Sequence, residues 1–304
     1  MDGLLVVDKP AGWTSHDVVA RLRRLAGERR IGHAGTLDPI ATGVLPCGLG
    51  RATRLLEFLS EAGKTYLLTV RLGVETDTYD ASGTVAATAP VPELDEARLR
   101  ALLHQFEGEQ LQRPPAFSAV KVSGERAYRL ARRGEPPELP PRRVTIERLE
   151  LLRWEPPDLV LEMDCSKGTY ARALAHDIGA RLGCGGHLAA LVRTRVGHVR
   201  LEDALSIEEI ERAAAESHFA AIVSAPDEAV LGLDAAILGQ RHSLAVRQGN
   251  PIDLLRVQPR ARDGRLVRAY SYLGDFLALI RFDARSGLFR PDRVLLPIQP
   301  VPRP

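Results

Sequence analysis

The sequence predicts a mixed α/β domain followed by a smaller β-rich one. Short runs of β-branched and aromatic residues alternate with stretches whose apolar positions recur at helical spacing, so both element types are present. At 304 residues the chain exceeds the usual size of one compact domain. Composition also changes near Leu233. Residues 201–240 hold nine Asp/Glu against one Arg, and residues 241–268 hold seven Arg against two Asp. The expected division is therefore 1–232 and 233–304. Hydrophobic residues at 45% and charged residues at 26% fit an ordinary globular chain and exclude the disordered and membrane-spanning classes.

Leu4–Val7 reads as a strand closed by the turn Asp8-Lys9-Pro10-Ala11-Gly12. Ser15 is placed to cap a helix with apolar positions Val18, Val19, Leu22, Leu25 and Ala26, and Gly27 to end it. Leu55, Leu56, Phe58 and Leu59 suggest a second helix, and Lys64–Leu72 has the content of a strand. Thr76–Gly83 is a polar turn, Leu94–Phe106 reads as helical, and Pro114 and Pro115 break the pattern before an extended stretch. Lys121–Arg143 carries seven Lys/Arg against three Glu, which a solvated helix face or a phosphate-binding surface explains equally.

Val144–Trp154 and Leu159–Ser166 read as two strands. Thr169 could cap a helix running to Leu182 and closing at Gly183, with Arg172 in its first turn at a plausible anion-facing site. Gly185–Gly197 is expected as loop, helix end and strand, and Leu201–Ala235 as largely helical with a break at Pro226. Beyond it, Ser243–Val246, Leu266–Tyr272, Phe276–Phe282 and Arg293–Leu296 read as strands of a small barrel, and Pro297–Pro304 as a frayed tail.

The stretch Gly32-His33-Ala34-Gly35-Thr36-Leu37-Asp38-Pro39 organises the rest. Pro39 biases Asp38 away from helical backbone, and the glycines let the loop approach another molecule closely. By itself such a cluster is an Asx turn before a helix. Its wider run, GHAGTLDPIATGVLPCGLGRATR, resembles the signature of the TruB family of tRNA pseudouridine synthases. LLVVDKPAGWTSHDVV, KTY, TDTYDASG, PPAFSAVKVSGERAYRLAR, CSKGTYARALAHDIG and LVRTRVG resemble further segments of that family, in the family's order. One departure is Phe117, where the family's pattern places Tyr; it puts one hydroxyl contact in question.

The resemblance implies a pseudouridine synthase fold, a mainly antiparallel sheet flanked by helices, with an RNA-contacting insertion at about residues 108–143 and a PUA-like tail domain. It implies that uridine at position 55 of the TΨC loop is flipped out and isomerised to pseudouridine. Asp38 would be the catalytic carboxylate, Tyr66 the stacking face, and Arg172 the partner that keeps Asp38 ionised and oriented. Tyr170 and Leu191 would line the uracil pocket, Asp80 could hydrogen-bond there, and His33 would wedge into the space left by the base. Each has a plainer reading: Tyr66 and Leu191 as core, His33 as a satisfied loop residue, Asp80 as a turn former.

The reaction breaks N1–C1′ and rejoins the base through C5, so neither redox chemistry nor a metal is demanded, and no cofactor is expected. Cys47, Cys165 and Cys184 lack CxxC spacing, and no His/Cys cluster accompanies them, so a zinc site or disulfide framework is not expected. The start MDGLLVVDKP resembles no export signal, and the expected location is the cytoplasm, with tRNA as partner, no membrane, no obligate protein partner and a monomeric state. An RNA-binding or tRNA-folding module without the chemistry is the alternative; the presence of both Asp38 and Arg172 favours the enzyme. A hydrolase using Asp38 as nucleophile lacks the second acidic cluster a metal would need.

Overall fold

The computed structural model describes residues 1–118, 120–122, 124–135, 137–254 and 262–296. Its main sheet has nine strands. In chain order these are β1 (Gly3–Lys9), β2 (Ile31–His33), β3 (Thr42–Leu49), β4 (Lys64–Leu72), then, after the hairpin β5 (Val74–Thr76) and β6 (Val85–Thr88), β7 (Gly108–Gln112). A short hairpin, β8 (Lys121–Val122) and β9 (Glu125–Arg126), precedes β10 (Arg142–Glu155), β11 (Asp158–Cys165), β12 (Gly186–Val196) and β13 (Val199–Arg200). The sheet runs β1-β3-β12-β4-β11-β10-β7, with β2 paired to β3 and β13 to β12. Every pairing is antiparallel except β3 with β12. The mainly antiparallel mixed sheet is the one expected.

The strands alternate faces. In β11 every second residue, from Leu159 to Cys165, is buried. That face packs with Leu68 and Val70 of β4 and with Leu174 and Ile178 of a helix in one apolar cluster. The helices are α1 (Ser15–Ala26), α2 (Leu56–Glu61), α3 (Glu96–His104), α4 (Ala127–Arg132), α5 (Ala171–Leu182), α6 (Ile207–Ala215) and α7 (Gln240–Arg247). Val18, Val19 and Leu22 of α1 and Ile207 and Ile210 of α6 form a second cluster over β1 and β3.

Several local expectations are corrected. Thr14, not Ser15, caps α1: its hydroxyl accepts the Asp17 N–H at 3.1 Å, and the Asp17 carboxylate accepts the Thr14 N–H at 2.8 Å. Such a reciprocal cap contributes about 1 kcal/mol. Ser15 turns inward instead, and its Oγ accepts the Leu37 N–H at 2.9 Å. The residue before α5 is Tyr170, without a side-chain cap; the Thr169 hydroxyl donates to Ser166 O at 3.0 Å. Gly186–Val196 is one strand, because Leu188, Leu191 and Val196 find buried places across β4. The acidic stretch 201–235 holds one α-helix and three short 3₁₀ turns.

The tail forms a four-stranded sheet, β14 (Asp234–Leu238), β15 (Leu266–Ser271), β16 (Phe276–Asp283) and β17 (Leu288–Val294), in that spatial order. Among the described residues these four strands form an open path, with no pairing between β14 and β17. Ser243–Val246 lies in helix α7, where Ser243 Oγ donates to Leu238 O at 3.2 Å. Val246 is buried there against Phe289 and Ile280, an amphipathic placement that four residues of sequence do not reveal. The tail strand β17 begins at Leu288, earlier than expected. Arg256, Arg260 and the segment 297–304 fall outside the described residues. Phe276, Leu279 and Leu295 pack with Leu4, Leu55, Leu56 and Leu59, so tail and main sheet share one buried cluster.

Candidate active site

The loop carrying Asp38 joins β2 to β3 and is tied down from both sides. Ser15 holds Leu37, the Gly12 N–H donates to Pro39 O at 2.8 Å, and the Ala41 N–H closes a turn on Asp38 O at 3.0 Å. Lys9, fully buried, donates to the carbonyls of Pro10 and Trp13 at 2.8 and 2.7 Å and reaches Pro39 O at 3.5 Å. Burial drops its pKa to about 8. Gly43, the second residue of β3, has φ 98°, and a Cβ there would stand 2.3 Å from Arg193 O. Only glycine lets β3 and β12 approach so closely.

Arg172, in the first turn of α5, reaches across to this loop. Its Nε stands 2.9 Å from Asp38 Oδ2, an ionic contact off the line of a hydrogen bond, and its Nη2 donates to Asp38 Oδ1 at 3.2 Å. Nη2 also donates to Phe117 O at 2.9 Å, and Nη1 donates to Thr78 O at 3.3 Å and lies 3.5 Å from Asp80 Oδ2. The guanidinium is thus buried between two carboxylates and two carbonyls. It serves as a clamp, not as the anion-facing helix terminus. Phe117 contributes through its backbone, so the missing phenol hydroxyl does not alter this contact.

Asp38 keeps 37% of its side chain exposed, facing two cavities that meet at it. Burial of its surroundings raises its pKa above the usual carboxylate range, Arg172 opposes that, and the Asp80 charge adds to it. Asp80 is buried; its Oδ1 accepts from Thr78 Oγ1 at 2.8 Å and from the Ser82 N–H at 3.0 Å. It is at once the turn former and the second anion on Arg172.

The smaller cavity, about 300 Å³, is lined by Asp38, Tyr66, Tyr170, Arg172, Leu191 and Arg193 among others. The structure therefore brings five of the seven sequence-derived site residues to one cavity: Asp38, Tyr66, Tyr170, Arg172 and Leu191. Tyr66 and Leu191 come from neighbouring strands β4 and β12, and Leu191 is registered opposite Leu68. Tyr170 is held by Gln112, whose amide accepts its N–H at 2.8 Å and donates to its carbonyl at 3.1 Å. Asp80 lines the larger cleft, about 720 Å³, together with His16, Phe117, Arg126, Tyr128 and Arg129. Arg126 and Arg129 bring the basic stretch 121–143 to the site.

His33 lines neither cavity. It sits at the end of β2 edge-on to His16, with ring centroids 5.6 Å apart, and burial lowers its pKa to about 4. Two buried cations that sequence reasoning passed over do line the smaller cavity: Lys64 and Arg193. Both lie inside quoted motifs, KTY and LVRTRVG, and the signal was a basic residue at an otherwise buried strand position. Among the described residues no group of three or more His, Cys, Asp or Glu could hold a metal ion, and no helix is long and apolar enough to cross a membrane.

Comparison with known proteins identifies the arrangement. Residues 23–171 match the model of the TruB family pseudouridylate synthase N-terminal domain, and residues 172–237 that of the tRNA pseudouridylate synthase B C-terminal domain. The chain is 40% identical over 303 residues to tRNA pseudouridine synthase B of Dehalococcoides mccartyi, covering 99% of each. It is 54% identical over 215 residues to that of Gloeobacter violaceus, covering 69% of this chain and 73% of the relative. Among solved structures, an H/ACA RNP bound to a substrate RNA containing 2′-deoxyuridine superposes with TM-score 0.74 at 25% identity, over 97% of this chain and 85% of that one. An archaeal box H/ACA sRNP Nop10-Cbf5 complex gives 0.72 at 25%, over 97% and 86%. The clamped carboxylate, the cavity beside it and these matches lead to one conclusion: the chain belongs to the TruB family of pseudouridylate synthases and is an isomerase.

Proposed function

We propose that this chain converts uridine 55 in the TΨC loop of tRNA to pseudouridine, with Asp38 as the reacting carboxylate. The observation that carries this reading is the position of Asp38 at the mouth between a base-sized cavity and a larger basic cleft, gripped by buried Arg172. A uridine stacked in an RNA loop must be extruded to be attacked. The smaller cavity suits the base, with Tyr66 as stacking face and Leu191 and Tyr170 as walls. The larger cleft, with Arg126 and Arg129, suits the backbone that follows it.

Asp38 then meets the ribose. Its carboxylate bonds to C1′ or takes the C2′ proton as N1–C1′ breaks; the base turns, C5 bonds to C1′ as Asp38 leaves C1′ or returns the C2′ proton, and C5 loses its proton as N1 gains one. A carboxylate at the cavity mouth, held above its ordinary pKa by the burial of its surroundings, is the more reactive for either use, while Arg172 holds it in place. The division into a catalytic part, 1–232, and an RNA-holding tail, 233–304, belongs to the same proposal, as does His33 as a wedge. The test is incubation of purified protein with an unmodified T-arm stem-loop, followed by mapping of pseudouridine. Modification at the target uridine alone supports the reading; none there, with the RNA bound, opposes it.

A further inference from the structure

Arg193 is 1% exposed and among the largest fully buried side chains of the protein. Its Nε donates to Val44 O at 2.7 Å and its Nη2 to Gly35 O at 2.9 Å, which fixes the guanidinium under the Asp38 loop. Burial raises the Tyr66 pKa, and the Arg193 guanidinium opposes that shift. Yet no Asp or Glu among the described residues pairs with it; the two carboxylates of the site, Asp38 and Asp80, are held by Arg172. Lys64, on the same cavity, is also without a carboxylate partner and donates to Ser60 O and Ala62 O at 2.5 and 2.6 Å.

An unpaired buried charge is costly, and carbonyl dipoles offset only part of that cost. A cavity wall that carries two such cations is prepared for an anion. Arg172 and Asp38 neutralise each other, so the excess positive charge of this wall comes from Arg193 and Lys64. We infer that Arg193, fixed by the Gly35 and Val44 carbonyls, is the electrostatic anchor for negative charge on the detached uracil. The inference rests on the proposed function above.

The chemistry requires such a group. When N1–C1′ breaks, both bonding electrons leave on the base, and the deficit at C1′ is filled by an Asp38 oxygen or by loss of the C2′ proton to that carboxylate. In either course the base carries one negative charge, spread over N1 and its carbonyl oxygens, until C5 bonds to C1′ with that pair, as the Asp38–C1′ bond breaks and its electrons return to the carboxylate or as the carboxylate gives the proton back to C2′. The C5 proton then leaves and N1 gains one, so no outside reagent enters. A preorganised cation that meets charge only after bond breaking lowers the barrier without tightening the ground-state complex.

Arg193→Gln removes the charge and Arg193→Lys keeps it. On the T-arm stem-loop, the glutamine variant should lose about 100-fold in single-turnover rate with an RNA dissociation constant within about threefold of wild type, as for loss of one preorganised donor. The lysine variant should recover at least tenfold of that loss at equal melting temperature. Equal rates for Gln and Lys, tracking their melting temperatures, would show a structural strut and overturn the inference. A second measurement uses the unaltered protein: free 5-fluorouracil bound to it, followed by fluorine NMR, should ionise about one pH unit below the free compound, a tenfold preference for the anion. Ionisation at or above the free value, or no binding, counts against the anchor. Wild-type inactivity on the stem-loop would instead reject the proposed function itself.

Discussion

Arg172 grips Asp38 side-on, with Nε 2.9 Å from Oδ2 and Nη2 3.2 Å from Oδ1, while its Nη1 lies 3.5 Å from a second carboxylate, Asp80. One buried cation thus serves two anions, and only Asp38 faces the cavity that would hold the base. A planar guanidinium can do this and still reach the carbonyls of Thr78 and Phe117. Arg172→Lys keeps one charge and loses the fork. Its single-turnover rate should fall at least tenfold with little change in RNA affinity; a rate within twofold of wild type would show that charge alone suffices.

Burial raises the Asp38 pKa and the Asp80 charge adds to it; on the proposed reading Asp38 acts in its ionised form. Activity should therefore fall as pH is lowered through a value above the ordinary carboxylate range. Asp80→Asn retains an oxygen to accept from Thr78 and Ser82 and removes the like charge. The acid limb of its pH–rate profile should move to lower pH. An unmoved limb would separate Asp80 from the ionisation of Asp38.

His33 offers a stability test. Its folded pKa is about 4 against 6.5 for the ordinary imidazole. Between those values the unfolded chain binds the proton and the folded one does not, so stability is fully retained above pH 6.5 and falls as pH drops toward 4, by up to about 3 kcal/mol. His33→Asn should flatten that part of the melting-temperature profile. A variant with the wild-type slope would assign the acid sensitivity elsewhere.

The shared cluster of Phe276, Leu279 and Leu295 with Leu4, Leu55, Leu56 and Leu59 makes the tail part of the main core. The Arg54 guanidinium donates to Val294 O at 3.0 Å, and Arg293 pairs with Glu57 at 2.8 Å across the same boundary. A chain ending at Gly232 exposes this surface. Each large apolar side chain lost from burial costs about 1.5–3 kcal/mol, so the truncated protein should lose on the order of 5 kcal/mol in urea unfolding. Unchanged stability would show two independent units.

How much of this could be read from sequence follows from the range of each interaction. Lys64–Leu72 was legible to the residue, since β-branched and aromatic residues are bounded by Gly63 and Gly73. That Asp38, Tyr66, Tyr170, Arg172 and Leu191 share one cavity is legible through ordered motifs, although Asp38 and Arg172 are 134 residues apart. Ser243–Val246 reads as a strand in sequence because four apolar and small residues suit either period until Phe289 and Ile280 supply the packing partner. Ser15 looked like a cap because its rescue of the Leu37 amide, across 22 residues, leaves no local trace. Arg193 was passed over for a similar reason: its partners are backbone carbonyls, which carry no signature in the side-chain sequence.

The central claim is that Asp38 performs the chemistry rather than shaping a turn. Asp38→Asn preserves shape and removes the carboxylate, so the decisive measurement is its single-turnover pseudouridine formation on the T-arm stem-loop, beside its RNA dissociation constant. The account predicts no detectable pseudouridine, with affinity within about tenfold of wild type because phosphate contacts do most of the holding. Turnover at the wild-type rate would contradict it and leave Asp38 an ordinary turn residue.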